Sequence, residues 1–344
     1  MSGVRGWRHG VGLSAAAVAN LLAALVATTT RGAGATEGVN RFVVLSSPRT
    51  GSTLLVTSLS QHPQLLSHHE VLLPTRCNLD PKARAAQLFP PLPDSLPARR
   101  ALQAGRRALP GPFLWSLWNT TLPATRAAGF KLQSGQLGRP VVERLLLADG
   151  GVKKVVLFRS DLLGMLASSD AAKASGNWGG RPYYEQRPGS RQLRPASALR
   201  QARVYLDWYA FLAPRLAGQD FRVVTYEELS SDFAATMASL TAWLGADAEF
   251  PYTPGRNKQM VQPVEEMYPS IGDVERSLEE AGIPLRPSFE EAAAGNFRPL
   301  GSAGGLLQQS HPPLLRDAQQ QLKRAVHRHQ WMGAFSRQHA AAPP

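Results

Sequence analysis

The chain has 344 residues, 43% of them hydrophobic and 18% charged, which indicates a globular protein and excludes a disordered chain, a collagen or a coiled coil. The only cysteine, Cys77, excludes an intramolecular disulfide and a thiolate metal cluster. A formal net charge of +13 at pH 7 indicates a negatively charged partner.

Residues 1–36 have the pattern of a secretory signal peptide or a signal anchor. Basic residues precede an apolar run from Val11 to Ala27, and no acidic residue occurs before Glu37. The run is shorter than the ~20 apolar residues of a membrane span, and Ala33-Gly34-Ala35 fits a signal-peptidase site. We therefore expect a secreted or Golgi-lumen protein that touches a membrane only through an uncleaved anchor, and the Asn119 sequon fits that route. An arginine-rich organelle transit peptide is the alternative.

Beyond residue 36, short apolar runs alternate with helical patterns. This order predicts an α/β fold over residues 37–344, a P-loop-like arrangement of three layers in which helices flank a central parallel sheet. The predicted strands are Phe42–Leu45, Phe130–Leu132, Lys154–Phe158 and Phe221–Thr225. The predicted helices are Thr53–Gln61, Leu137–Ala148, Asp161–Ser175, Ala198–Leu216 and Asp232–Leu244. The strands are mostly apolar, as expected for parallel strands buried on both faces.

Two long insertions interrupt this pattern, residues 72–118 and residues 176–195. Insertions of this length are usually functional lids or disordered connections. The second carries Trp178 and two tyrosines among arginines, which suits stacking on a sugar or an aromatic acceptor but equally fits a disordered basic loop. A glycine-rich segment over 295–312 is predicted to be flexible, and a basic helix is predicted over 313–331.

The loop after the first predicted strand is the most informative segment. It reads Ser46-Ser47-Pro48-Arg49-Thr50-Gly51-Ser52-Thr53-Leu54-Leu55. Backbone N–H groups at a strand-to-helix turn converge with the positive end of the helix dipole, so they bind anions. Gly51 permits close backbone approach, and Ser52 and Thr53 add hydroxyl donors. Arg49 adds a permanent cation. The loop is not a Walker P-loop, which needs a lysine before the hydroxyl residue. A helix start capped by Thr53, without a ligand, is the alternative.

The whole loop resembles that of the sulfotransferases that use 3′-phosphoadenosine 5′-phosphosulfate (PAPS). The resemblance implies PAPS as co-substrate, with its 5′-phosphosulfate held by the loop and Arg49 reaching the bridging oxygen and the sulfonate. The implied binding residues of the loop are Pro48, Arg49, Thr50, Gly51, Ser52 and Thr53. The family also has an arginine that ends a later strand and a serine about two helical turns on, both holding the 3′-phosphate. Arg159 and Ser168 are similar to that pair.

Further segments most resemble the bacterial-type sulfotransferases that act on trehalose and nodulation glycolipids. Their proposed general base is a glutamate after the second strand, which implies Glu70 as the base here. His68 and His69 are the alternatives, because imidazole is the usual base near neutral pH. The resemblance further implies Arg256 and Lys258 as cofactor-binding residues. The implied reaction moves a sulfonate group from PAPS to a hydroxyl of an acceptor such as a carbohydrate or glycolipid.

Two other functions fit parts of the sequence. A nucleotide kinase is disfavoured because the P-loop lysine and a clear magnesium carboxylate are missing from the sequence. A non-catalytic binder of anionic glycans or nucleic acid would fit the positive charge equally well. Such a binder has no need of this loop at a strand–helix junction, so nucleic acid is not the expected partner. No metal is expected, because fixed cations take the role that magnesium has in kinases.

Overall fold

The structure is a computed structural model, and it describes residues 38–73, 77–89, 95–176, 178, 192–254 and 263–295. Its centre is a sheet of five parallel strands in the order β2-β3-β1-β4-β5. The strands are β1 (Asn40–Ser46), β2 (Leu65–Glu70), β3 (Ala127–Gln133), β4 (Val152–Phe158) and β5 (Phe221–Thr225). This confirms the predicted α/β class with a central parallel sheet flanked by helices.

Helices follow every strand. They are α1 (Ser52–Leu59), α2 (Pro81–Ala85), α3 (Leu96–Ala108), α4 (Pro110–Asn119), α5 (Arg139–Val142), α6 (Leu162–Ser175), α7 (Pro195–Leu216), α8 (Tyr226–Ser231), α9 (Phe233–Leu244), α10 (Val264–Met267), α11 (Ile271–Glu280) and α12 (Phe289–Ala294). A π-helical turn over Glu143–Leu147 continues α5. The five helices predicted between residues 53 and 244 are present, most of them with shifted ends. Helix α9 is capped by Gly245, whose φ of 84° is the left-handed conformation of a helix stop.

The core lies on both faces of the sheet. Alternate residues of each strand point to opposite faces, so Val43 and Leu45 of β1 join one apolar cluster while Phe42 and Val44 join the other. The first cluster includes α4, α6 and α7, and the second includes α1 and α9. Burial of one such side chain contributes roughly 1.5–3 kcal/mol. Tyr205, Trp208 and Tyr209 of α7 are buried in the first cluster.

The insertion over 72–118 is largely helical, since it contains α2, α3 and α4. Pro81 and Pro110 stand at the first position of α2 and α4, where the missing N–H costs no hydrogen bond, so these prolines start helices instead of breaking them. The indole of Trp118 in α4 donates to the carbonyl of Phe42 at 3.1 Å. The segments 1–36 and 313–331 and most of 176–195 lie outside the described residues. Within the described ranges, no helix has the length and hydropathy needed to cross a bilayer.

The order of the strands creates a crevice beside β1. The chain moves from β1 to β2 and β3 on one side, and then crosses to β4 on the other side. Ser46, the last residue of β1, pairs with Gln133 of β3 and with Leu157 of β4. In open parallel sheets, ligands bind outside the carboxyl ends of the strands at such a reversal. The loop after β1 and the residues after β4 therefore begin side by side at the expected place for a ligand.

His68 of β2 is a buried, neutral part of the fold. Its Nδ1 accepts the backbone N–H of Asp80 at 3.0 Å, and its ring packs edge-on against Phe89. Burial lowers the pKa of His68 to about 4. These contacts place His68 in the packing between β2 and α2.

The buried imidazole predicts a loss of stability in acid. Between pH 6.5 and 4 the unfolded chain binds a proton at His68 that the folded protein does not, so unfolding becomes easier as the pH falls through this range. The difference from the ordinary pKa amounts to about 3 kcal/mol in the free energy of unfolding. Urea unfolding at pH 7 and pH 4.5 measures it. In His68→Asn, whose side-chain oxygen can replace Nδ1 as an acceptor, most of this pH dependence should disappear. An unchanged dependence would refute the assignment.

Candidate active site

The loop after β1 forms a tight turn at the N-terminus of α1. Thr50 is fully buried and its hydroxyl donates to the carbonyl of Ser47 at 2.8 Å, so this hydroxyl is used inside the turn. Gly51 precedes α1 with a φ of 84°, and Arg49 has a φ of 69°. A left-handed backbone is costly for arginine, and such strain persists mainly at functional sites. The first N–H groups of α1 have no partners within the helix, and they follow the turn at the end of β1 that borders the crevice.

Gly51 lies against the ring of Tyr226, the first residue of α8. A Cβ atom at Gly51 would lie 2.6 Å from Cδ2 of Tyr226. The same ring faces the guanidinium of Arg159, whose Cζ is 4.5 Å from the ring centroid. Tyr226 therefore joins the loop after β1 to the end of β4. Sequence analysis did not include Tyr226 among the site residues, although an aromatic residue directly after a parallel strand was a usable signal.

Replacing Gly51 by alanine should cost more stability than the left-handed backbone alone requires. The new Cβ would collide with Tyr226, whereas Gly135, with a φ of 83°, has no atom within 4 Å of the corresponding position. Gly135→Ala should therefore lose only the ~1 kcal/mol of a left-handed alanine, and Gly51→Ala at least ~1 kcal/mol more. Urea unfolding of the two variants measures the difference. Equal losses would contradict the described contact between Gly51 and Tyr226.

Arg49, Ser168 and Arg159 meet at one place. Nε of Arg49 donates to Oγ of Ser168 at 2.9 Å, and Nη1 of Arg49 donates to the carbonyl of Trp178 at 3.0 Å. Nη1 of Arg159 donates to the carbonyl of Arg49 at 3.4 Å. The residues predicted to hold the two ends of one nucleotide are thus in direct contact. The hydroxyl of Ser168 bonds to Arg49, although the resemblance implies that it works with Arg159.

Arg159 is 8% exposed, and its guanidinium is held in a fixed orientation. Its Nη2 bonds to Oδ2 of Asp161 at 2.6 Å, while the hydroxyl of Tyr205 accepts its backbone N–H and donates to its carbonyl. Burial would raise the pKa of Asp161, but the charge and hydrogen bond of Arg159 outweigh it and keep the pKa below the ordinary value. Within the described ranges, Nε of Arg159 is buried without a hydrogen-bond partner, so it remains available to an anion.

Glu70, at the end of β2, is paired with a buried lysine. Nζ of Lys131 lies 3.3 Å from Oε1 of Glu70 and donates to Oγ1 of Thr53 at 3.3 Å, and its side chain is 2% exposed. On the same strand, Nε2 of Gln133 donates to Oγ of Ser52 at 3.4 Å. Because β3 lies between β1 and β2, its side chains connect Glu70 to the loop. Sequence analysis missed both residues, although a lysine in an apolar strand was a visible signal.

A bulge in β2 sets the direction of Glu70. The register with β3 shifts between His68 and Glu70, so that Glu70 rather than His69 is paired with Lys131. Bulges commonly re-aim a side chain beside an active site. The backbone N–H of His69 donates to the carbonyl of Asn78 at 2.8 Å. The roles of Glu70 and His69 as candidate bases stay predictions.

Three other residues were predicted to bind the cofactor. Pro48 lies half-buried in the loop, whereas Arg256 and Lys258 lie outside the described residues. In the described part of the chain, no three histidine, cysteine, aspartate or glutamate residues are grouped so that they could share a metal ion.

No protein-family model and no curated protein match the chain. It is similar to a solved sulfotransferase from Alicyclobacillus acidocaldarius, with 14% identity and a TM-score of 0.42 over 70% of this chain and 93% of that one. A sulfotransferase domain from the curacin biosynthetic pathway is 16% identical, with a TM-score of 0.39 over 75% of this chain and 97% of that domain. Mouse sulfotransferase SULT7A1 complexed with PAP is 16% identical, with a TM-score of 0.32 over 75% of this chain and 66% of that one. At TM-scores below 0.5, these likenesses do not establish the activity of this chain.

Proposed function

We propose that this protein is a PAPS-dependent sulfotransferase, which moves the sulfonate group of PAPS to a hydroxyl of an acceptor. The observation that carries the proposal is the contact between Arg49 and Arg159 at the crevice beside β1, with 3.4 Å from Nη1 of Arg159 to the carbonyl of Arg49. Two guanidinium groups and the N-terminus of α1 provide two adjacent anion sites. This arrangement suits a nucleotide with phosphate groups at both its 3′ and 5′ positions better than a single phosphate.

The residues present fit the nucleotide. The buried Nε of Arg159, which has no partner among the described residues, supports a 3′-phosphate site, and we assign Ser168 to its edge. The N–H groups at the start of α1, the hydroxyl of Ser52 and Arg49 would hold the 5′-phosphosulfate. By resemblance alone, Arg256 and Lys258 would add two more cations. PAPS supplies an activated sulfonate in a phosphosulfate anhydride.

The chemistry left to the protein is proton removal and charge stabilisation. As the acceptor oxygen bonds to sulfur and the bond from sulfur to the bridging oxygen breaks, the hydroxyl proton passes to the carboxylate of Glu70. The bridging oxygen keeps the electron pair, and Arg49 stabilises the negative charge that develops there. Lys131 lies 3.3 Å from both Glu70 and Thr53, so its charge serves the base and the loop together. His69 is the second candidate for the base.

The acceptor and the compartment are also proposals. We assign a carbohydrate or glycolipid hydroxyl as the acceptor, from the resemblance to the trehalose and nodulation-type enzymes. The basic and apolar pattern of residues 1–36 supports the secretory route, with the Golgi lumen or the exterior as destination and an organelle as the alternative. Contact with a membrane would then depend on whether an anchor remains.

Nucleotide binding tests the proposal directly. We expect 3′-phosphoadenosine 5′-phosphate (PAP) to bind more tightly than ADP or ATP in calorimetry, because only PAP offers a 3′-phosphate to Arg159. Arg159→Ala should weaken PAP binding about 10–100-fold and leave ADP binding nearly unchanged, since one charged hydrogen-bonding group is lost. Arg276→Ala, at an exposed position of α11, is the matched control. Equal affinities of the wild type for PAP and ADP would sink the proposal and favour a general binder of polyanions.

A further inference from the structure

Helix α3 buries two polar side chains with several atoms that make no hydrogen bond to the described residues. Arg106 is 4% exposed and Gln103 is 0% exposed, and their spacing of three residues places them on one face of the helix. In the described part of the chain, Nε and Nη1 of Arg106 and both amide atoms of Gln103 have no hydrogen-bond partner. Burying such groups unpaired is costly, so a fold that keeps them has a reason to do so.

The surroundings hold the guanidinium in place without neutralising it. Cζ of Arg106 lies 4.6 Å from the ring centroid of Phe113, in the next helix, so the guanidinium is fixed against an aromatic wall. Cys77 interacts with Arg106 electrostatically. Burial raises the pKa of the Cys77 thiol and outweighs the opposing effect of Arg106, so the thiol is neutral near pH 7. No carboxylate forms a salt bridge with Arg106 within the described ranges. The positive charge therefore lacks a counter-charge there.

The segment between β2 and α2 connects Arg106 to the candidate base. Cys77 directly precedes Asn78, whose backbone N–H donates to the carbonyl of Glu70 at 3.2 Å and whose carbonyl accepts the N–H of His69. The chain beside Arg106 therefore runs along the last residues of β2. Phe113, which covers the guanidinium, belongs to the cluster that includes Leu72 and Cys77. Arg106 is thus linked through Cys77 to the segment that pairs with the end of β2.

We propose that Gln103 and Arg106 bind an acidic group of the acceptor, a carboxylate, sulfate or phosphate, while the acceptor hydroxyl reacts beside Glu70. This inference rests on the proposed sulfotransferase function and adds the substrate class, a hydroxyl compound that already carries negative charge. A guanidinium and a primary amide donate several N–H groups in fixed directions, which matches an oxyanion. A dry, aromatic wall strengthens that contact. The net charge of +13 would attract such an acceptor from a distance.

The first test measures anion binding without turnover. The probe is inorganic sulfate, added at constant ionic strength to protein saturated with PAP, so that the 3′- and 5′-phosphate sites are filled. The sulfonate position beside Arg49 stays open in the wild type and in both variants alike, so the comparison between variants isolates Arg106. Thermal unfolding of the wild type should shift upward with sulfate by a few degrees. Arg106→Met, which keeps the stack on Phe113, should lose the shift. The matched control, Arg107→Met, changes an exposed arginine on the same helix and should keep it.

The second test compares transfer of radiolabelled sulfonate to glucose and to glucuronate, which carries a carboxylate in place of the C6 hydroxymethyl group. The wild type should have a kcat/KM about tenfold higher for glucuronate, carried by KM, and Arg106→Met should remove this preference by raising the KM for glucuronate. Gln103→Leu, which replaces an unpaired buried amide by an apolar side chain and should fold, is expected to reduce the preference severalfold. It keeps the test decisive if Arg106→Met does not fold.

The outcomes separate this inference from the proposed function. If PAP binds but sulfate gives no shift in the wild type, or Arg106→Met responds as the wild type does, the subsite is refuted and the sulfotransferase proposal is untouched. A sulfate shift without any preference for glucuronate would mark a site for free anions and also overturn the acceptor assignment. Failure to bind PAP in preference to ADP would refute the underlying function instead.

Discussion

Glu70→Gln should lower the rate of sulfonate transfer by about 10²–10⁴-fold, because an amide cannot take the proton of the acceptor hydroxyl. The affinity for PAP should stay the same within a few-fold, since Glu70 contacts Lys131 and is not part of the loop. Initial rates of radiolabelled transfer to any acceptor that the wild type sulfonates give the first number, and calorimetry with PAP gives the second. A loss confined to turnover would identify Glu70 as the base.

The neighbouring histidine provides the comparison. His69→Gln changes the residue that the bulge leaves out of register with β3, and we expect it to keep turnover within a few-fold of the wild type. If Glu70→Gln were fully active and His69→Gln inactive, the base would be the histidine and the pairing of Glu70 with Lys131 would be structural. Because the two residues are adjacent, general damage to β2 would affect both variants alike.

Arg49→Gly should separate stability from activity. The φ of 69° at Arg49 is strained for arginine but relaxed for glycine, so part of the stability lost with the hydrogen bonds to Ser168 and Trp178 should be recovered. We expect the free energy of unfolding to change by less than about 1 kcal/mol. Turnover should fall by about 10²–10³-fold, because the charge that stabilises the leaving oxygen is removed. Urea unfolding and transfer rates measure the two effects.

Gln87 is the matched control for this substitution. It is the other non-glycine residue of the described chain with a left-handed backbone, with a φ of 50°, and it lies after α2. Gln87→Gly should relieve similar strain and leave turnover unchanged. If Arg49→Gly kept its turnover, the arginine would hold the loop in shape without acting on the reaction. If Arg49→Gly lost much stability and Gln87→Gly did not, the hydrogen bonds of Arg49 would contribute more to the free energy of unfolding than relief of backbone strain recovers.

Local sequence patterns were sufficient to predict most of the strands and helices. The apolar run of β4 followed by Arg159, and the run of β1 followed by the loop from Pro48 to Thr53, are visible because buried parallel strands and helix starts need particular residue types. Residues 72–118 were predicted to be a lid or a disordered connection, yet they contain three helices. Two of these helices begin with proline, which is favourable at the first position of a helix.

Sequence alone was sufficient to predict the α/β class and the strand-to-helix turn before α1, since each depends on residues a few positions apart. The tertiary structure decided which of these features meet. Lys131 and Glu70 are 61 positions apart and Arg159 and Arg49 are 110 apart, so their contacts follow from a strand order that places β4 beside β1 and β3 between β1 and β2. Strand order arises from packing both faces of the whole sheet, and periodicity within one segment carries no information about it.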